Sequence, residues 1–172
     1  ESLPETSGTN QLVMRYVIAH PTDENLLLLM AVTQSRAGYL FLINLDSREA
    51  NLLFPINIDR DEHTLGFSPD GRFLAATASL HQEINPPSSN MPFGGLLIYD
   101  LHHNELQTIL VNSDIFFPAF IFDWSSDGNW LAFVRDSNVI GLVAPAYDYQ
   151  QTIIHEAGDC SSLAWINPVT VK

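Results

Sequence analysis

Three short stretches of this 172-residue chain hold the residues best suited by type and spacing to chemistry. In Asp59-Arg60-Asp61-Glu62-His63, hard oxygen ligands recur at alternate positions, a pattern that could hold Ca²⁺ where further carbonyl oxygens converge on it. The commoner fate of such a run is a solvated acidic loop. A longer stretch, 79–94, collects His81, Gln82, Glu83, Asn85 and Asn90, all able to hydrogen-bond, around Pro86-Pro87. The prolines restrict the backbone and lower the entropy lost on binding. The third, Ile115-Phe116-Phe117-Pro118, offers aromatic residues in a connection, where exposure would suit a partner.

Catalytic signatures are missing. The chain has no Gly-x-Ser-x-Gly elbow, and His155-Glu156 lacks the second histidine that a zinc-protease helix requires. His102-His103 falls at a hairpin tip, where both side chains should be wet. No catalytic residue, structural metal or cofactor is expected, Ca²⁺ at the acidic run being the one cofactor to consider.

Charge narrows the partners. Seven Lys+Arg against twenty Asp+Glu give −13, which repels phosphate backbones and anionic lipid heads, so any partner should be a neutral or basic protein or small molecule. Cys160 stands alone and can close no internal disulfide. The longest apolar run, Leu26 to Val32, is far short of the roughly 20 residues that span a bilayer. Residues 1–12, which open on a largely polar stretch from Glu1 to Asn10, read as a tether.

These stretches are held by elements that repeat. Leu65-Gly66-Phe67-Ser68-Pro69-Asp70-Gly71-Arg72-Phe73-Leu74-Ala75 aligns without a gap on Phe122-Asp123-Trp124-Ser125-Ser126-Asp127-Gly128-Asn129-Trp130-Leu131-Ala132, an offset of 57. Each reads as apolar strand, tight turn, apolar strand, with Pro69 setting φ in a type I turn and Gly71 supplying the permissive fourth position. A weaker copy places His20-Pro21 opposite Ser68-Pro69 with one residue inserted in the turn, and a fourth start places Trp165 opposite Trp124. Second hairpins follow: Ile43 to Glu49 aligns with Tyr99 to Glu105 at an offset of 56, and Thr108-Ile109-Leu110 with Thr152-Ile153-Ile154 at 44. The unit is therefore four strands, and its length variation falls in one connection, nine residues longer in the second unit, within 79–94, than in the first. Phe67, Phe73, Trp124, Trp130 and Trp165 recur at repeat positions and are expected to pack between units.

The run Phe67-Ser68-Pro69-Asp70-Gly71-Arg72-Phe73-Leu74-Ala75, followed by Leu97-Ile98-Tyr99-Asp100-Leu101 and Glu105-Leu106, resembles the WD40 repeat and the related TolB-like β-propeller repeat. The Gly-His and Trp-Asp pairs of WD40 are incomplete: His63 stands alone, and Asn44, Asp100 and Ala144 occupy the second position. This favours the looser TolB-like group. The resemblance implies an all-β fold: a β-propeller fragment of three four-stranded antiparallel blades, about 13–54, 64–111 and 119–156, plus the first strand of a fourth beginning about 160. It also implies an extracytoplasmic, periplasmic or cell-surface setting and a non-enzymatic binding scaffold, or alternatively the non-catalytic propeller domain of a prolyl-oligopeptidase-like hydrolase. Because propellers take four to eight blades, the chain is expected to be a piece of a larger ring or to complete one by self-association with another copy. In that geometry one face gathers Asp59, Asp61, Glu62, His63, His81, Glu83, Asn85, Asn90, Phe116 and Phe117 as the candidate binding residues.

Overall fold

The structure, a computed structural model, describes residues 11–34, 37–57, 65–80, 95–109, 121–135, 139–156 and 162–166. Twelve strands follow one another: β1 (Val13–Ala19), β2 (Leu26–Val32), β3 (Ala37–Asn44), β4 (Glu49–Asn57), β5 (Leu65–Phe67), β6 (Phe73–Leu80), β7 (Gly95–Asp100), β8 (Glu105–Thr108), β9 (Ile121–Trp124), β10 (Leu131–Arg135), β11 (Val139–Ala144) and β12 (Gln150–Glu156). A single 3-10 turn, Pro145–Tyr147, is the only helical element among the described residues. The strands form three four-stranded antiparallel meanders, β1–β4, β5–β8 and β9–β12, each ordered as in the chain.

Alternation decides which way each side chain faces. In β2 the whole run Leu-Leu-Leu-Leu-Met-Ala-Val is apolar, because Leu28, Met30 and Val32 turn to one face of the sheet and Leu27, Leu29 and Ala31 to the other. The first set joins Leu40, Phe54 and Ile56 against Leu74, Ala76, Leu97 and Tyr99 of the second unit. A second seam packs Phe73, Ala75, Leu96, Ile98 and Ile109 against Phe122, Trp124, Leu131, Phe133 and Val143 of the third. The core is these two seams. Each unit presents a leading face to the unit after it and a trailing face to the unit before it.

Register makes the equivalence residue by residue. On the trailing faces, one row crosses four strands as Val17, Leu29, Phe41, Leu52 in the first unit and as Leu65, Ala76, Leu97, Thr108 in the second. In the third the row is Phe122, Phe133, Gly141, Ile153. The fourth strand thus corrects the sequence alignment by one place: Ile153 rather than Thr152 matches Thr108. The cause is the hairpin, where five residues separate Ala144 from Gln150 but four separate Asp100 from Glu105.

The recurring aromatics divide by position. Phe73 and Trp124 are buried and stacked, with ring centroids 6.0 Å apart. Phe67 is half-buried against the first seam. Trp130 pairs instead with the exposed Tyr147, and Trp165 is 37% exposed. The last two therefore depart from the expected burial, because both belong to the side of the third unit facing away from the second.

Small and large residues trade places along equivalent rows. Ala76 beside Leu97 in the second unit becomes Phe133 beside Gly141 in the third, and a Cβ on Gly141 would lie 2.2 Å from the Phe133 ring. Phe133 is 1% exposed and has no room to retreat. Gly141→Ala should therefore cost about 1–3 kcal/mol by overpacking, and Phe133→Ala about 3–5 kcal/mol by cavity formation. The double variant Phe133→Ala/Gly141→Ala removes the ring that the new Cβ meets and should recover about 1 kcal/mol or more of the summed loss. Urea unfolding of the four proteins checks this, and strict additivity would contradict the packing described.

Candidate functional site

A network of hydrogen-bonded polar groups lies at the tips of the hairpins, on the end of the units opposite the strand ends that lead into the long connections. In the first hairpin of the second unit, the Ser68 hydroxyl donates to Asp70 at 2.5 Å and accepts the Phe73 N–H at 2.9 Å. Asp70 also accepts the Arg72 N–H at 3.1 Å, and Gly71 N–H closes on Ser68 C=O at 2.8 Å. The third unit repeats the arrangement with Ser125, Asp127, Asn129, Trp130 and Gly128. The Ser125 hydroxyl and Asn129 N–H hold the Asp127 carboxyl below its ordinary range. Gly71 and Gly128 have φ of +77° and +72°, the left-handed region that glycine enters without a Cβ penalty.

The first unit uses His20 where the others use serine. His20 Nδ1 accepts the Asp23 N–H at 3.1 Å, so the proton sits on Nε2, which donates to Gly71 C=O of the next unit at 2.9 Å. The ring meets Phe67 edge-on with centroids 5.0 Å apart. At the following seam Asp70 takes the same place, its carboxylate 3.0 Å from where a Gly128 Cβ would be. Deeper in, Trp124 Nε1 donates to Gly66 C=O at 3.3 Å, and Trp165 Nε1 donates to Asp123 C=O at 2.7 Å. Gly66 and Asp123 are equivalent residues, so one indole hydrogen bond recurs from seam to seam.

Asp100 is the electrostatic hub of this end. Its Oδ1 accepts the N–H groups of His102 and His103 at 2.9 and 3.2 Å, and its Oδ2 accepts Arg72 Nη2 at 2.8 Å and His103 Nδ1–H at 2.9 Å. Burial alone would raise its pKa, but the hydrogen bonds from Arg72, His103 and the two backbone N–H groups outweigh it and hold the carboxyl well below the usual range. Tyr149, against the same seam, is pushed up by burial and by the charges of Asp100 and Glu105. Asn44 fills the Asp100 position in the first unit, accepting the Asp46 and Ser47 N–H groups at 3.0 Å. Ala144 has no acceptor, and there the 3-10 turn replaces the side-chain cap. All three hairpins then pass through a left-handed residue: Arg48, Asn104 and Asp148.

This chemistry is self-contained. Both Asp100 oxygens are occupied, which leaves no lone pair for a metal or a substrate proton. Among the described residues no group of three or more His, Cys, Asp or Glu is placed to hold a metal ion, and no helix is long and apolar enough to cross a membrane. His102 is exposed, as expected, and His103 is 63% exposed while still bonded to Asp100, a role that the hairpin-tip reading missed.

The candidate binding residues Asp59, Asp61, Glu62, His63, His81, Glu83, Asn85, Asn90, Phe116 and Phe117 lie outside the described residues. The strand ends that lead into two of their segments are described. Ile56 pairs with Leu80 and Asn57 with Ser79, an antiparallel ladder between β4 and β6 that joins the first two units into one sheet. The chain enters 58–64 from Asn57 and 81–94 from Leu80, so both segments leave from one hydrogen-bonded place.

Gly71→Ala should cost about 2 kcal/mol or more, because the new Cβ meets left-handed strain and lies 2.1 Å from His20 Cε1. Gly128→Ala should cost less, since its nearest neighbour is at 3.0 Å, and His20→Ala should relieve part of the Gly71→Ala penalty. Thermal unfolding of these variants ranks them. For Asp100, whose side chain is 5% exposed, Asp100→Asn should destabilise by about 1–3 kcal/mol at pH 7. The folded carboxyl titrates well below the unfolded value of about 3.9, so its contribution is full above that value, shrinks below it and is lost only as pH falls through the folded carboxyl's own, much lower range. Urea unfolding at pH 7, 5 and 3 should show the gap between wild type and Asp100→Asn unchanged from pH 7 to 5 and narrowed but still open at pH 3.

No family model and no curated protein matches this chain. Solved structures do. The tricorn protease aligns over 91% of this chain and 17% of its own at 9% identity and a TM-score of 0.53. An oligogalacturonate lyase in complex with manganese aligns over 84% and 36% at 14% identity and 0.53. The β-propeller domain of the Trilobed protease from Pyrococcus furiosus aligns over 84% and 43% at 12% identity and 0.50. The chain spans less than half of each of these proteins. At such identities the likeness is one of architecture, and together with four-stranded meanders stacked face to face through a repeating seam it identifies the fold of this chain as a β-propeller.

Proposed function

We propose that the chain is a non-enzymatic propeller scaffold that binds a protein or small ligand through the long connections at one end of its units. The observation that carries this reading is the β4–β6 ladder, from which the acidic segment around Asp59 to His63 and the segment holding His81 to Asn90 both depart. A rigid stack of strands with its sequence variation concentrated at one connection suits a scaffold that displays loops. The hairpin tips at the other end have their polar groups turned inward to Ser68, Asp70, Asp100 and their partners, and so leave less for a ligand. With acids at Asp59, Asp61, Glu62 and Glu83, the partner is neutral or basic, in an extracytoplasmic setting.

A second reading has its own support: two of the similar structures are named as a protease or a protease's propeller domain, and the chain aligns to under half of each. On that reading the units gate a catalytic domain and the same connections face it. One experiment addresses both. A partner captured by pull-down is titrated by calorimetry against wild type, a deletion of residues 82–91, and the triple variant Asp61→Ala/Glu62→Ala/His63→Ala. The deletion should weaken binding at least tenfold, and the triple variant severalfold with a shallower salt dependence. Unchanged affinity in both folded variants would move the binding surface to the hairpin-tip end, and a captured hydrolase domain would favour the second reading.

A further inference from the structure

The second hairpin of each unit joins its third strand to its fourth, and in the first two units the same two devices tie it back to its own unit. A side-chain acceptor caps the turn: Asn44 takes the Asp46 and Ser47 N–H groups, and Asp100 takes those of His102 and His103. The next residue then donates its backbone N–H to the tip of the first hairpin, from Leu45 to Asn25 C=O at 2.8 Å and from Leu101 to Arg72 C=O at 2.9 Å. The third unit can form neither tie. Ala144 stands where Asn44 and Asp100 stand and offers no side-chain acceptor. Pro145, next to it, has no N–H to give to Asn129, the residue equivalent to Asn25 and Arg72.

The hold on 145–149 comes instead from the neighbouring unit. Ala146 and Tyr149 pack against the second seam, while Tyr147 between them turns to Trp130. Tyr149 is half-buried there. Burial pushes its phenol pKa up, and the charges of Asp100 and Glu105 add to this while Arg72 opposes it, all three belonging to the second unit. Reaching across costs backbone strain. Asp148 and Tyr149 have φ of +56° and +53°, two consecutive left-handed residues where each of the other two hairpins has one, Arg48 or Asn104. Hairpins fill such a pair with Asn-Gly or Asp-Gly, because a Cβ is disfavoured in that region and a bulky side chain suits it least. Strain of this kind persists only where the surroundings hold it in place.

We propose that Tyr149 is a strained latch between the second and third units. Docked against the second seam, it holds the 145–149 hairpin that the third unit cannot hold alone, and its undocking releases hairpin and seam together. Burial of the ring favours the docked state, and relief of the left-handed pair favours the released one, so one side chain sets the balance between two arrangements. The device is confined to this seam. At the first seam the corresponding hairpin, 101–104, belongs to a unit with both anchors of its own, and Asn104 there also accepts the Tyr99 hydroxyl.

Amide exchange of the full chain, followed by mass spectrometry with circular dichroism confirming strand content, tests the latch. Tyr149→Ala should raise exchange in β11 and β12 at least tenfold and leave β1–β4 within about twofold of wild type. Tyr149→Phe keeps the ring and should stay within about threefold of wild type. The decisive background is Ala144→Asp/Pro145→Leu, which supplies the cap and the N–H that the other units have. There, adding Tyr149→Ala should raise exchange less than about threefold. Should that background not fold, Asp148→Gly reads the strain directly: with the ring in place, it should slow exchange in β11 and β12 severalfold. Unchanged exchange in Tyr149→Ala, an equal rise in Tyr149→Phe, an undiminished rise in the anchored background, or no slowing in Asp148→Gly overturns the proposal.

Discussion

Each four-stranded sheet of this chain is apolar on both faces, and a sheet so made cannot be buried by its own strands. Leu28 and Met30 need the second unit as Phe73 and Ile98 need the third. That requirement fixes the rest. It sets the continuous hydrophobic reading of β2, the exchange of Ala76 and Leu97 for Phe133 and Gly141, and the single direction in which units follow one another. Stability in such an arrangement is a sum over seams rather than a property of one central core.

Polar interactions serve the seams in turn. An indole N–H that reaches back to a carbonyl on the preceding unit, from Trp124 to Gly66 and again from Trp165 to Asp123, pins the depth at which a new first strand sits. The phenyl ring of Phe67 holds the same repeat position without an N–H to give, and there the first seam relies on His20, whose Nε2 holds Gly71 C=O from the hairpin tip. Asp100 shows the same economy. One buried carboxylate caps its own turn, fixes His103 and anchors Arg72, whose guanidinium also lies 4.5 Å over the Phe73 ring.

Much of this was legible in the sequence. The Ser-Pro-Asp-Gly and Ser-Ser-Asp-Gly turns are local chemistry, and the alternation flanking them is local too, so the gapless match between the second and third units predicted real equivalence. The single misplacement, one residue in β12, arose because a five-residue hairpin with a 3-10 turn leaves no mark in an alignment of apolar residues. What pattern could not supply were bonds between residues far apart in sequence: His20 to Gly71 spans 51 positions and Arg72 to Asp100 spans 28. A histidine beside a proline and an arginine after a glycine read as ordinary turn residues until their partners are placed. The candidate binding residues rest on the repeat geometry and on the strand ends that lead to them.

The short ladder between β4 and β6 has a consequence of another kind. Two backbone pairs, Ile56 with Leu80 and Asn57 with Ser79, make the first two units one continuous sheet, whereas β9–β12 forms a sheet of its own. In stacked-repeat proteins neighbours commonly open one at a time, because only side chains hold them together. Here opening of the first unit must also break main-chain hydrogen bonds to the second. Amide exchange should accordingly report two cooperative blocks rather than three, with β1–β8 opening together and β9–β12 opening at its own lower free energy. The hydrogen-bonded boundary lies at the root of the loops proposed to bind, so a ligand engaging them would be felt across the larger block as a single step.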